Sequence, residues 1–131
     1  SSYRREANGQ LKVEQDISIL PPGMSKIGLS ASDLLITPDG KFLYAGLRGH
    51  RQDFDRISRY RVLEDGKAKF LGLTEADQVP WGLTLSPDGK FLLVTATNGA
   101  SLTAYRISKD GNLKRVATLA WDERMSDLVA R

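Results

Sequence analysis

Apolar and polar positions alternate along most of this chain in runs of five to ten residues, each cut off by turn residues. That is the pattern of half-buried strands rather than helices. Residues 10–19 alternate in this way, so a strand is predicted there. Asp33-Leu34-Leu35-Ile36 and Phe42-Leu43-Tyr44-Ala45 flank Pro38-Asp39-Gly40, and Gly82-Leu83-Thr84-Leu85 and Phe91-Leu92-Leu93-Val94 flank Pro87-Asp88-Gly89. Proline presets φ and glycine accepts a positive φ, so each triplet is predicted to join two strands through a tight turn. For the first unit this predicts an inner strand near 33–37 and further strands near 42–47, 56–62 and 67–73. A fragment of the second unit falls at 102–107, where Thr103, Tyr105 and Ile107 share one face and Leu102, Ala104 and Arg106 the other.

The stretch 37–46 returns, nearly unchanged, as 86–95. A return at 49 residues with four short strands per unit points to propeller blades, whose repeats run roughly 40–50 residues. A second element occurs three times. Tyr3-Arg4, Tyr60-Arg61 and Tyr105-Arg106 each precede, after three further residues, Asn8-Gly9, Asp65-Gly66 or Asp110-Gly111, the strongest short hairpin signals. The third-strand tyrosines are expected to pack between blades. The fold expected is therefore all-β, a partial β-propeller of four-stranded antiparallel blades. Residues 1–23 would be the end of one blade, 24–77 a crossing plus one whole blade, 78–121 a second whole blade, and 122–131 the inner strand of the next.

That amounts to about two and two-thirds units, whereas a ring closes with about 4–8 blades. The chain opens at Ser1 inside what should be a third strand. A piece of a longer protein is expected, or else a subunit that assembles with other chains. Alone, it should expose apolar end faces and unpaired strand edges and self-associate.

Composition narrows the chemistry. With 19 basic and 16 acidic residues the net charge is +3, spread over the turns. No basic run interleaves with aromatics, which argues against nucleic-acid binding. The absence of cysteine excludes disulfides, thiolate metal sites and cysteine nucleophiles. No apolar run approaches the roughly 18 residues of a membrane span, and no signal peptide is visible. His-Glu-x-x-His, calcium-loop, phosphate-loop and serine-elbow motifs are all missing, so the expectation is no metal and no cofactor.

Ala31-Ser32-Asp33 before the inner strand, the Thr37 to Tyr44 turn, Arg48-Gly49-His50 after the second strand and the Ser86 to Val94 repeat occur together at these offsets. In them the chain resembles the C-terminal two-fifths of the seven-bladed propeller lactonase family, which includes bacterial cytosolic 6-phosphogluconolactonases and fungal carboxymuconate-lactonizing enzymes. The resemblance implies a cytoplasmic lactone hydrolase. Its partners would be a small-molecule sugar lactone, 6-phosphogluconolactone-like, and the remaining blades. Three positions depart from the family's habit: Leu35 where histidine is common, Leu47 where asparagine usually precedes the arginine, and Trp81 where the crossing usually reads Pro-Arg. They favour the alternative of a non-catalytic binding or scaffold propeller with a degenerate site.

Lactone hydrolysis needs an activated water, stabilisation of the developing oxyanion, and a cation where the substrate is anionic. Inner-strand entries and the second-to-third-strand loops end on one side of a propeller, so Asp33, Arg48, His50 and Trp81 can converge there. Arg48 would bind the anionic substrate or the oxyanion, and His50 would act as general base or orienting group. Asp33 would orient a partner or the water, and Trp81 would pack against the sugar ring. The structural alternatives are an Arg48 ion pair with Asp33 or Asp53, an exposed His50, and a Trp81 that only covers the inner strands. The 48–55 loop, longer than its counterpart at 98–101, is either a lip over the site or surface variation.

Overall fold

The computed structural model describes residues 1–49, 54–98 and 100–120. Ten strands run in sequence: β1 (Ser2–Arg5), β2 (Leu11–Gln15), β3 (Leu29–Ile36), β4 (Phe42–Gly49), β5 (Arg56–Val62), β6 (Ala68–Glu75), β7 (Pro80–Leu85), β8 (Phe91–Ala96), β9 (Ser101–Ile107) and β10 (Leu113–Ala120). They form a two-stranded sheet β1-β2 and two antiparallel four-stranded sheets, β3-β4-β5-β6 and β7-β8-β9-β10, each in plain sequence order. This is the up-and-down connectivity of propeller blades. The strand predicted over 10–19 is shorter than its alternation, ending at Gln15, and β3 begins four residues ahead of the predicted 33.

The two Pro-Asp-Gly turns are built alike because their side chains bond alike. Thr37 Oγ1 donates to Asp39 Oδ1 at 2.6 Å and accepts from Phe42 N at 3.0 Å, while Lys41 N donates to the same carboxylate oxygen. Ser86, Asp88, Phe91 and Lys90 repeat every one of these bonds. The hydroxyl bonds lead the causes that hold both carboxyls below the ordinary aspartate value. Gly40 and Gly89 close the turns at φ +70 and +68, where a Cβ would be strained. Directly across from each turn, Arg61 lies over the Phe42 ring and Arg106 over the Phe91 ring, at 5.4 and 4.8 Å from the centroids. The arginine of each Tyr-Arg pair thus covers the phenylalanine that opens the adjacent strand.

The core lies between the two large sheets. Phe42, Tyr44 and Ile57 from one meet Leu83, Leu92, Val94 and Tyr105 from the other. Three tyrosines bury their rings and send their hydroxyls across a seam to a backbone carbonyl. Tyr60 donates to Ser18 O, Tyr105 to Glu75 O and Tyr44 to Gly111 O, at 3.0–3.1 Å. The inter-blade placing expected of Tyr60 and Tyr105 is what the structure contains.

Burial raises all three phenols, Tyr44 to about 12. In the unfolded chain a phenol ionises near pH 10, so at higher pH unfolding releases protons and stability falls. Their contribution is complete below about pH 10 and, for Tyr44, lost as pH rises through about 12. The urea midpoint is therefore expected to drop steeply between those limits, with Tyr44 alone accounting for on the order of 2 kcal/mol. A midpoint that holds level across that window in a pH series contradicts the assignment.

Candidate functional site

The ends of the blades opposite the Pro-Asp-Gly turns carry Asp33, Arg48 and Trp81. Phe42 opens β4 at the turn and Arg48 stands six residues on, about 20 Å away along the strand. Both inner strands carry a bulge at the same place in the repeat, between Ala31 and Leu34 in β3 and between Pro80 and Leu83 in β7. A bulge releases amides from the ladder and re-aims the side chains it carries. The residues re-aimed are Ser32 and Asp33 in one blade, Trp81 and Gly82 in the next.

Side chains collect the released amides. Asp33 accepts from its neighbour Leu34 N at 2.8 Å through one oxygen and, through the other, from Leu83 N of the following blade at 2.9 Å. Gly82 N donates to the buried hydroxyl of Thr95 at 3.0 Å. Asp33 therefore fastens one bulge to the next, a role that spacing alone does not reveal because the partner lies fifty residues away. Gly46, opposite the first bulge, leaves the room this requires. A Cβ there would collide with Ser32 Oγ and lie 3.3 Å from Leu83 Cδ1 and 3.6 Å from the Pro80 carbonyl oxygen.

Arg48 and Trp81 meet across the same seam. The guanidinium carbon sits 4.4 Å from the indole centroid, a face-on cation–π contact. Among the described residues Arg48 forms no ion pair, and its Nε is buried without a hydrogen-bond partner, as is Ser32 Oγ. Two of the four predicted residues are thus in contact, and Asp33 anchors the strand from which Trp81 projects. His50 and Asp53 lie outside the described residues. Among those described, no three acidic or histidine side chains converge as metal ligands do, and no helix is long and apolar enough to cross a membrane.

A groove of about 720 Å³ runs between the two Pro-Asp-Gly turns at the far end. None of the candidates lines it, and its two carboxylates are bonded into their own turns. The Arg48 end, with unpartnered polar atoms and a stacked cation, offers more to a ligand.

Sequence reasoning missed one polar cluster. Asp77, on the crossing between the two large sheets, accepts from Ser101 Oγ, Thr103 Oγ1 and Arg115 Nη1 at 2.9, 2.6 and 2.8 Å. Burial pushes its carboxyl up, but the bonds from Thr103, Arg115 and Ser101 outweigh this and hold it below the usual value. The signal was present in the sequence: Ser101 and Thr103 stand on the same face of β9 as Tyr105, and two hydroxyls on an inward face require a polar partner.

This fold and this bulged inner edge define a class, that of the β-propellers. The seven-bladed β-propeller lactonase family model matches residues 1–125, and the chain belongs to that family. A 6-phosphogluconolactonase of Sodalis glossinidius is 32% identical over 111 residues, which cover 83% of this chain and 32% of that protein. A protein from Lactobacillus plantarum of known crystal structure superposes with a TM-score of 0.83 at 18% identity, over 95% of this chain and 36% of its own. The Pseudomonas aeruginosa periplasmic gluconolactonase does so at 0.77 and 24% identity, over 89% and 32%. The chain spans about a third of the length of the curated relatives it matches.

Proposed function

We propose that the chain belongs to a lactonase that hydrolyses an anionic sugar lactone of the 6-phosphogluconolactone type, and that Arg48 binds the anion or the developing oxyanion. The observation that carries this reading is a guanidinium held across a blade seam with no acid against it among the described residues. A cation so placed keeps its charge and its donors for a ligand. His50 is the general base or an orienting group, imidazole being the side chain whose unperturbed pKa lies closest to neutrality. Asp33 serves by fixing the inner strands. The lactonase name of the Sodalis glossinidius relative supports the substrate class. A cytoplasmic location accompanies the reading, and cell fractionation checks it.

One observation favours the second reading, a non-catalytic propeller: both Asp33 oxygens are occupied by backbone amides, which removes one carboxylate from the work of activating water. Turnover of a panel of sugar lactones by the complete protein, after subtracting spontaneous hydrolysis, separates the two. Hydrolysis above background is expected for a phosphorylated or carboxylated lactone. Background rates across the whole panel exclude the lactonase reading.

A further inference from the structure

An arginine can be held in place in two ways. A carboxylate holds it through its N–H groups and neutralises it, whereas an aromatic face holds it from one side and leaves the donors in its plane free. Arg48 is held the second way. Trp81 occupies the place in the repeat that Ser32 has in the preceding blade, and the two bulge residues behave differently. The serine hydroxyl turns inward against Gly46. The indole stays 40% exposed and lies against the guanidinium of the neighbouring blade.

This arrangement constrains an incoming anion. One face of the guanidinium is closed by the indole, and Nε is buried. What remains is the in-plane edge carrying the terminal N–H groups, suited to two parallel bonds to a carboxylate or phosphate. Asp33 does not compete, because both of its oxygens already accept amides, and Asp55 accepts the amide of Gly49 without forming an ion pair with Arg48.

The geometry points to Trp81 as a positioning residue that acts through Arg48, fixing the guanidinium plane for the substrate's carboxylate or phosphate instead of stacking on the sugar ring. This rests on the lactonase proposal only for the identity of the substrate.

Calorimetric titration of the complete protein with gluconate and with 6-phosphogluconate tests it, the first ligand offering a carboxylate alone and the second a phosphate as well. Trp81→Phe is expected to keep the affinity within about twofold, and Trp81→Ala to weaken it about fivefold. In an Arg48→Ala background, Trp81→Ala should change nothing further, since the ring then has no guanidinium to hold. In turnover, Trp81→Ala should raise KM for the anionic lactone with kcat nearly unchanged, and leave KM for uncharged gluconolactone where it was. The inference is overturned if Trp81→Ala weakens binding as much without Arg48 as with it, if charged and uncharged lactones suffer alike, or if neither acid binds. Coupled anion binding without any lactone turnover keeps the role of Trp81 and removes only the lactonase reading.

Discussion

Replacing Gly111 by alanine is expected to lower folding stability by about 3 kcal/mol, against about 1 kcal/mol for the same change at Gly66. The two glycines close equivalent Asp-Gly turns and have nearly the same backbone, φ +77 and +79. Forcing an alanine into that left-handed region costs each variant alike. The difference comes from the next blade. A Cβ at Gly66 meets nothing within 4 Å, whereas one at Gly111 would run into the Phe42 ring, 2.5 Å from Cε1. That ring cannot retreat easily, since it is part of the core and Arg61 covers it. The Gly111 carbonyl also receives the Tyr44 hydroxyl, so a displaced turn would strand a buried phenol. Urea midpoints for the two variants decide the matter: equal losses would mean that the turn does not press on the neighbouring blade.

For the Arg48→Ala variant of the complete protein, kcat/KM toward an anionic lactone is expected to fall about 100-fold, the scale of losing a charge-assisted pair of hydrogen bonds to the substrate's anionic group. Arg48→Lys should recover only part of this, because an ammonium can neither stack flat on Trp81 nor offer two parallel N–H bonds. The variant should remain folded. Among the described residues no acid pairs with Arg48, so its removal strands no buried partner charge, and one buried Nε without a partner disappears with it. Melting temperature and kcat/KM therefore separate cleanly. An unchanged kcat/KM removes Arg48 from the site.

What the sequence made legible was local. Pro-Asp-Gly and Asp-Gly turns declare themselves through residues two or three apart, and alternation tells which strand residues point inward, so the blades and the packing of Tyr60 and Tyr105 followed directly. The 49-residue return carried the propeller fold, and Ala31-Ser32-Asp33 and Arg48-Gly49-His50 at their offsets carried the family resemblance. The candidate site was legible as a set of residues and opaque as an arrangement. Nothing in the spacing says that Asp33 will accept an amide from β7, because a bulge must first release that amide. Nor does it say that Trp81 will lie against Arg48, a contact made between two blades. Asp77 escaped for the opposite reason. The 57-residue spacing between Tyr3 and Tyr60 aligns it with Leu20, which is buried, and an apolar counterpart hides a polar cluster that only the hydroxyls of β9 betray.

The tyrosine hydroxyls that cross the seams all end on main-chain carbonyls: Ser18 for Tyr60, Glu75 for Tyr105 and Gly111 for Tyr44. Every residue type supplies such an acceptor. A unit that brings its own tyrosine can therefore dock beside a neighbour whose side chains have drifted, and a duplicated unit finds its docking point ready-made. Lineages built this way can add or diverge units one at a time while the joints between them stay intact.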